Sequence, residues 1–493
     1  MRREIMQYLI IPAILLPALF GGLLPVFKFK SRTAKQAYIA AALIIEVLLV
    51  CVIAASRIEG FTLFSMTSQL TVAFWADSVS RLFSVIAAFG WLAAGIFAFV
   101  YTKHMEKEDM FYAFYLISLG AVIGMDYSAN LITMYLFFEL ITLTSMPLVL
   151  QDRTKEAIRA ALKYLFYSIG GAFLALCGIF FLYAYCGVGG FAPGGSIDMA
   201  MAAEHKNVLL TVIFIAVVGF GAKAGLYPLH GWLPTAHPVA PAPASAVLSG
   251  VIAKAGVLAI LRMIFFCTGT ELVAGTWVQY AWIGLALFTV FMGSMMAYRE
   301  KVFKKRLAYS TVSQVSYVLT GLFFMTQASV TGGLLHVLFH ACIKICLFLT
   351  AGSVIYNTGK TRVDELDGIG RQMPVTIWSF TLASLALIGI PPACGFVSKW
   401  YLASGALESG LPVVYWLAPV VLLISAILTA GYLLPITIRG FFPGEGAVCG
   451  QRLDEGGVKM YLPIAILAAL TLLLGIFSGG ITEWLSHTAE AML

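Results

Sequence analysis

Five ionisable residues stand where an ionisable residue is costly. Glu139 lies in Leu136-Phe137-Phe138-Glu139-Leu140, Lys223 in Gly219-Phe220-Gly221-Ala222-Lys223-Ala224-Gly225, and Lys254 in Ile252-Ala253-Lys254-Ala255-Gly256. Lys344 follows His336 and His340 at intervals of four, so the three share one helix face. Lys399 follows Gly389-Ile390-Pro391-Pro392-Ala393-Cys394-Gly395. Each sits inside an apolar run, and an ionisable group within a bilayer marks an ion pathway by default. Desolvation disfavours the ammonium form of lysine and a nearby carboxylate restores it. Moving Glu139 relative to a lysine would therefore switch proton uptake to release. Arginine could not serve, because it does not deprotonate. The competing reading is a set of buried ion pairs that only fix helix packing. One glutamate against four lysines leaves most of the charge without an acidic partner, which argues against it; Glu46 in the second span is a further candidate partner.

The elements that hold these residues are membrane helices. Of 493 residues 60% are apolar and 11% charged, and mean hydropathy is +0.92. A soluble domain carries roughly 25% charged residues, so lipid is the solvent that fits. Apolar runs long enough to cross a bilayer occur near 8–27, 36–55, 79–101, 110–126, 129–150, 163–186, 208–228, 241–267, 277–298, 307–326, 330–356, 375–403, 412–437 and 459–478. The expected fold is an all-α membrane protein of about fourteen transmembrane helices. Met1-Arg2-Arg3 leads into the first span and is not read as a cleaved signal. The segment from Arg57 to Ser78 alternates, as in Gln69-Leu70-Thr71-Val72-Ala73-Phe74, and reads as an extra-membrane hairpin.

Charge sets the orientation. Loops after odd-numbered spans hold 21 of the 31 Lys and Arg residues, the opposite side 6, and the remaining four are the buried lysines. This bias places the odd loops in the cytoplasm and both termini outside, in a cytoplasmic (inner) membrane. The net charge of +7 comes from these loops and forms no nucleic-acid face. Eight scattered cysteines without a CxxC signal neither a cluster nor a zinc site and read as free thiols. His336-Val337-Leu338-Phe339-His340 has helical metal-ligand spacing but lacks the glutamate of HExxH, so a proton relay fits better than a hydrolase; two hydrogen-bonded core histidines are the alternative. No motif for haem, flavin, metal or quinone appears, and no cofactor is expected.

Two spans carry breakers: Tyr227-Pro228 after Lys223, and Pro391-Pro392 before Lys399. Interrupted helices at membrane depth are tolerated where freed backbone lines a polar cavity, and paired breaks point to transport sites in two halves. The division expected is residues 1–109 (helices 1–3 with the hairpin), 110–267 (first ion-conducting repeat, helices 4–8), 268–437 (second repeat, helices 9–13) and 438–493 (helix 14).

The run Pro228-Leu229-His230-Gly231-Trp232-Leu233-Pro234-Thr235-Ala236-His237-Pro238-Val239-Ala240-Pro241-Ala242-Pro243-Ala244-Ser245-Ala246 resembles the signature of antiporter-like subunits of respiratory complex I, Mrp-type cation/proton antiporters and membrane-bound energy-converting hydrogenases. Leu307–Gln314, His336–Phe348 and Gly389–Lys399 are similar to the same family, so the resemblance covers nearly the whole chain. It implies two inverted five-helix repeats, each with a broken helix. It implies that Glu139 and Lys223 form an ion-paired module, that Lys254 connects the halves, and that Lys344 and Lys399, with His336 and His340 beside them, serve the second half. The expected function is proton (or Na⁺/H⁺) translocation within a redox-driven multisubunit complex; the alternative is a D-type module of an Mrp Na⁺/H⁺ antiporter driven by ion gradients alone. A passive scaffold anchoring soluble subunits would be expected to lack the lysines. Expected partners are further antiporter-like and small hydrophobic subunits, lipid and, indirectly, soluble redox subunits, with no nucleic acid. Phe138 departs from the family pattern, where tryptophan commonly precedes the glutamate. Lys399 resembles the D-type Mrp subunits and some hydrogenase subunits, whereas other members place glutamate there. The short tail after the fourteenth span argues against the distal complex I subunit, and His237–Pro241 with Leu248-Ser249-Gly250 leans toward the hydrogenase and Mrp-like branch.

Overall fold

The computed structural model describes residues 6–56, 58–67, 70–444 and 451–493; Met1, Arg2, Arg3, Arg57, Gln69 and Cys449, used above, lie outside them. The chain forms helices α1 (Ile10–Leu23), α2 (Arg32–Ala55), α3 (Ser78–Tyr101), α4 (Glu108–Asp126), α5 (Leu131–Val149), α6 (Lys155–Tyr185), α7 (Lys206–Ala224) and α8 (Leu233–Val239). There follow α9 (Ala242–Thr268), α10 (Trp277–Arg299), α11 (Phe303–Phe324), α12 (Gln327–Thr358), α13 (Pro374–Ile388), α14 (Cys394–Glu408), α15 (Val414–Phe441), α16 (Val458–Ile476) and α17 (Gly479–Met492).

Polar residues at the helix starts explain several boundaries. Ser31, Asp77, Asn130 and Thr154 each accept a hydrogen bond from the backbone N–H three residues on, capping α2, α3, α5 and α6. Between α2 and α3 the chain makes the antiparallel hairpin β1 (Ile58–Ser65) and β2 (Thr71–Ala76), with Phe61 opposite Phe74. The hairpin is fastened to α5: Ala73 N donates to Thr133 Oγ1 and Asn130 Nδ2 to Thr71 O.

Among the described residues eleven helices (α2–α7, α9, α10, α12, α15 and α16) are each long and apolar enough to cross a membrane, which makes this a multi-pass membrane protein. The count of about fourteen depends on α1, α11 and the pair α13–α14. Of these, α1 and α13 are apolar but short, and α11 opens with Lys304, Lys305 and Arg306. Hydropathy does not separate these helices, but burial does. Nine-tenths of the apolar stretch of α12 and all of that of α9 are enclosed by other helices, against a third in α2, α15 and α16. The two most enclosed of these eleven helices carry Lys254, His336, His340 and Lys344.

Both expected breaks are real ends of helices. α7 stops at Gly225 and α13 at Gly389, and both glycines take the left-handed conformation (φ 81° and 93°) that closes a helix C-terminus. At Gly389 a Cβ would also come within 3.0 Å of Lys399 Cδ.

Candidate ion-conducting site

Lys223, in the last turn of α7, is fully buried. Its ammonium donates to the Phe138 carbonyl and, at 2.9 Å, to Thr142 Oγ1, and lies 3.8 Å from the centroid of the Phe138 ring, a cation–π geometry. Residues 138 and 142 are one turn apart on α5, while Glu139 is rotated by about 100° from Phe138 and about 60° from Thr142. The closed ion pair that the family resemblance implies is therefore absent. Glu139, half-buried, receives the Tyr135 hydroxyl at 3.5 Å and interacts with Lys223 through space. Phe138, the departure from the family pattern, supplies both a carbonyl and a ring to the lysine.

The next lysine is on a helix packed against α7. α7 and α9 cross where Gly256 meets Phe220 and Ala224: a Cβ on Gly256 would fall 2.5 Å from Ala224 N and 2.7 Å from Phe220 O. This contact lies beside Lys223 on one helix and Lys254 on the other. Lys254 Nζ donates to Ser249 O at 3.2 Å and Gly250 O at 2.6 Å. Both carbonyls belong to a π-helical turn, Leu248–Ile252, whose wider winding changes the usual carbonyl pairing. Gly256→Val is expected to wedge α7 and α9 apart and to destabilise the fold by about 1–3 kcal/mol, the usual penalty for overpacking. A lowered thermal midpoint of the detergent-solubilised protein, against an unchanged Gly284→Ala control (nothing lies within 4 Å of a Cβ there), is the measurement.

Across from α9 runs the α12 series. Lys344 Nζ donates to Ser310 Oγ and, at 3.0 Å, to Leu307 O of α11. His340 is fully buried, and neither ring nitrogen has a hydrogen-bond partner among the described residues. Lys254, Lys344, His336 and Lys399 all lie within its electrostatic reach. Its ring stacks on that of His336, centroid to centroid 5.8 Å. His336 in turn is held between α11 and α14, with Nε2 3.2 Å from Gln314 Oε1 and Nδ1 2.9 Å from Ser398 Oγ. Tyr317 stacks on His336 at 5.6 Å, and Lys399 Nζ sits 5.1 Å from the same tyrosine ring. Lys399, half-buried, spends its donors on Leu387 O and Ile388 O at 2.6 and 2.9 Å. Those are carbonyls at the broken end of α13, which a helix terminus leaves without intrahelical partners and which carry the negative end of the helix dipole.

The seven predicted site residues fall into two groups, Glu139 with Lys223 on α5 and α7, and Lys254, Lys344, His340, His336 and Lys399 on α9, α12 and α14, with the α7–α9 crossing between them. Sequence reasoning passed over several companions. Thr142, Ser310, Gln314, Tyr317 and Ser398 are uncharged, so nothing in the sequence set them apart. His237, quoted only as part of the signature run, is fully buried with both ring nitrogens unpartnered among the described residues, and stacks at 4.6 Å on Phe348, one turn from Lys344. A cavity of about 390 Å³ lined by Asp152, Lys304 and Ala240 opens beside it, and Lys304 Nζ donates to Ala240 O at 2.6 Å.

Also missed was a buried ion pair away from this line. Arg262 of α9 grips Asp77 with both nitrogens, at 2.6 and 2.7 Å, and reaches Ser80 Oγ at 2.9 Å. Burial would push the Asp77 carboxyl up, but Arg262 and the Ser80 amide and hydroxyl hold it below the usual carboxylate range. By sequence Arg262 registers only as a loop-side charge, because its partner is 185 residues away. Among the described residues no group of three or more His, Cys, Asp or Glu side chains is placed to hold a metal, and the seven described cysteines are unpaired.

Enclosed helices bearing a file of lysines and histidines between two broken helices define an antiporter-like membrane protein. Residues 128–444 match the model of the NADH:quinone oxidoreductase/Mrp antiporter transmembrane family, and the chain belongs to that family. It is 34% identical over 415 residues to NADH-quinone oxidoreductase subunit N of Desulforudis audaxviator, covering 80% of each chain. It is 28% identical to the D-type Na⁺/H⁺ antiporter chain of Alkalihalophilus pseudofirmus, covering 99% of this chain and 98% of that one. The fold is similar to a chain of the Mrp complex from Dietzia sp. DQ12-45-1b (TM-score 0.83, 21% identity, 99% and 97% of the two chains covered). It is also similar to a chain of an archaeal membrane-bound sulfane sulfur reductase (TM-score 0.86, 22% identity, 98% and 97% covered).

Proposed function

We propose that this chain translocates protons through Glu139, Lys223, Lys254, Lys344, His340, His336 and Lys399 as one component of a multisubunit membrane complex driven by redox chemistry in other subunits. The observation that carries this reading is His340. A fully enclosed imidazole with both nitrogens unpartnered is costly as a packing element, and it stands where Lys254 and Lys344 from one side meet His336 from the other. As a group that takes a proton at one nitrogen and returns it from the other, its placement is explained. The ammonium contacts fit the same role: Lys254 and Lys399 rest on backbone carbonyls, acceptors that do not fix the proton as an ion pair would.

In this reading the chain crosses the cytoplasmic membrane fourteen times, with α7–α8 and α13–α14 each counted as one broken span. Residues 110–267 and 268–437 act as inverted repeats, and both termini face outside. The Asp152–Lys304 cavity is then on the cytoplasmic side. The second reading, a D-type Na⁺/H⁺ antiporter module, is favoured by the end-to-end match to such a chain. One experiment decides between them: purify the chain with its native partners, identify them, and assay sealed vesicles. Redox subunits with electron-donor-dependent acidification support the proposal. Small membrane subunits alone, with Na⁺-driven proton movement, support the second reading.

A further inference from the structure

Two acidic residues face Arg262, and only one of them holds it. Asp126, at the end of α4, is 4% exposed, and its Oδ2 is buried with no hydrogen-bond partner among the described residues. It feels the Arg262 charge, yet both guanidinium donors go to Asp77. Asp77 lines a cavity of about 600 Å³, together with Glu59, Arg81 and His487, under the hairpin and α17. Asp126 does not line it. Of these groups all but Arg262 and His487 precede the segment matched by the family model.

Among the described residues the elements packed against α4 supply no other cation at this place. α1 carries no charged residue, α5 brings only Glu139, α3 brings Arg81, and α9 brings Arg262, with Lys254 about two turns away. Arg81 is turned away, with Nη2 on Ser56 O. Next in the chain, Tyr127 donates to Ser84 Oγ at 2.9 Å, and Glu46 of α2, 1% exposed, has both carboxylate oxygens unpartnered among the described residues. One guanidinium compensates one carboxylate. A second carboxylate buried beside it without a donor would be expensive, so it carries a proton instead.

We propose that Asp77 and Asp126 share a single proton across Arg262, forming a proton-exchange site that opens to the cavity and lies apart from the lysine–histidine line. In the structure as it stands Asp77 is the carboxylate paired with Arg262 and Asp126 is the neutral acid. In the alternative state the proton has moved from Asp126 to Asp77, Arg262 has turned to the Asp126 carboxylate, and neutral Asp77 trades its proton one for one with the water of the cavity. Arginine never releases a proton here; it follows whichever carboxyl is ionised, and no charge is created in the exchange. The purpose of such a site rests on the proton-translocation reading, but its existence does not.

Infrared spectroscopy of the full chain in its native complex tests this through the C=O stretch of protonated carboxyls. Asp126→Asn is expected to remove one such band, which assigns it. Asp77→Asn and Asp77→Ser imitate the protonated state of Asp77, and both are good helix N-caps, so α3 keeps its start. In either variant Arg262 is free to pair with Asp126, and the Asp126 band is expected to disappear although Asp126 is unchanged. An assembled Asp77→Asn or Asp77→Ser complex that retains the band overturns the proposal, as does Asp126→Asn leaving every band in place. The readout is a band and not pumping. A complex that moves no protons would still show the exchange, and a pumping complex without the exchange would sink this inference alone.

Discussion

Lys223→Ala is expected to reduce ion translocation by the assembled complex to the background leak while the complex still assembles, and Glu139→Ala is expected to do the same. The two losses have different origins. Lys223→Ala removes a fully buried ammonium and with it the donor to the Phe138 carbonyl and Thr142 Oγ1. Thr142 can rotate its hydroxyl to a backbone acceptor one turn back, as Thr144 and Ser145 do on the same helix, so the fold survives. Glu139→Ala removes the carboxylate whose distance from Lys223 is the adjustable quantity: in this structure the pair is open, and closing it would restore the charged form of the lysine. Glu139→Asp keeps the charge with a shorter reach, so the Tyr135 hydroxyl contact, already long at 3.5 Å, is lost and translocation is expected to be partial. The assay is donor-driven pumping in sealed vesicles, with subunit composition checked by gel. Wild-type pumping in both alanine variants would remove Glu139 and Lys223 from the pathway.

Lys399 offers the sharper comparison because the three obvious substitutions separate charge from proton exchange. The ammonium rests on Leu387 O and Ile388 O at the open end of α13. Lys399→Ala leaves those carbonyls bare and is expected to stop net pumping. Lys399→Arg supplies donors to both carbonyls and a permanent positive charge, but a guanidinium does not release its proton, so pumping is expected to fail here too. Lys399→Glu is expected to be partly tolerated, since a carboxyl shielded from water by Tyr317 and the helix break can also hold a proton. If arginine supports normal pumping and alanine does not, position 399 supplies fixed charge only and the relay is wrong. Measurement of all three within the assembled complex, at matched protein levels, decides it.

Much of the candidate site was legible before the structure because membrane burial makes charge conspicuous. A lysine within an apolar run declares itself, and so does a Pro-Pro pair within a span; these two signals located Glu139, Lys223, Lys254, Lys344 and Lys399. Spacing by four placed His336 and His340 on the face of Lys344. What had no signal was the uncharged lining: Gln314 and Ser398 orient His336, and Thr142 takes the proton donor of Lys223, yet serine, threonine and glutamine occur throughout such helices. His237 was read as part of a motif and not as a buried ring. The ion pair implied for Glu139 and Lys223 was the one geometric expectation that failed, since the carbonyl of Phe138 and the Thr142 hydroxyl lie nearer the ammonium than the neighbouring carboxylate does.

The sequence alone determined that the chain lives in lipid, roughly where its spans begin and end, where two of them break, and which residues are ionisable at membrane depth. Those properties depend on local composition: apolar length, glycine and proline, and charge. It did not determine which helices are enclosed. In water a buried face and an exposed face differ in polarity, and a 3.6-residue rhythm results. In lipid both faces are apolar, so α9, wholly enclosed, and α2, largely exposed, read alike. Only the tertiary structure enclosed α9 and α12 and so brought Lys254, Lys344, His340 and His336 near Lys399. Only it brought Asp77, Asp126 and Arg262 together, for a pair 185 residues apart leaves no periodicity to find; its partners are chosen by the packing of helices whose apolar surfaces look the same to lipid and to one another.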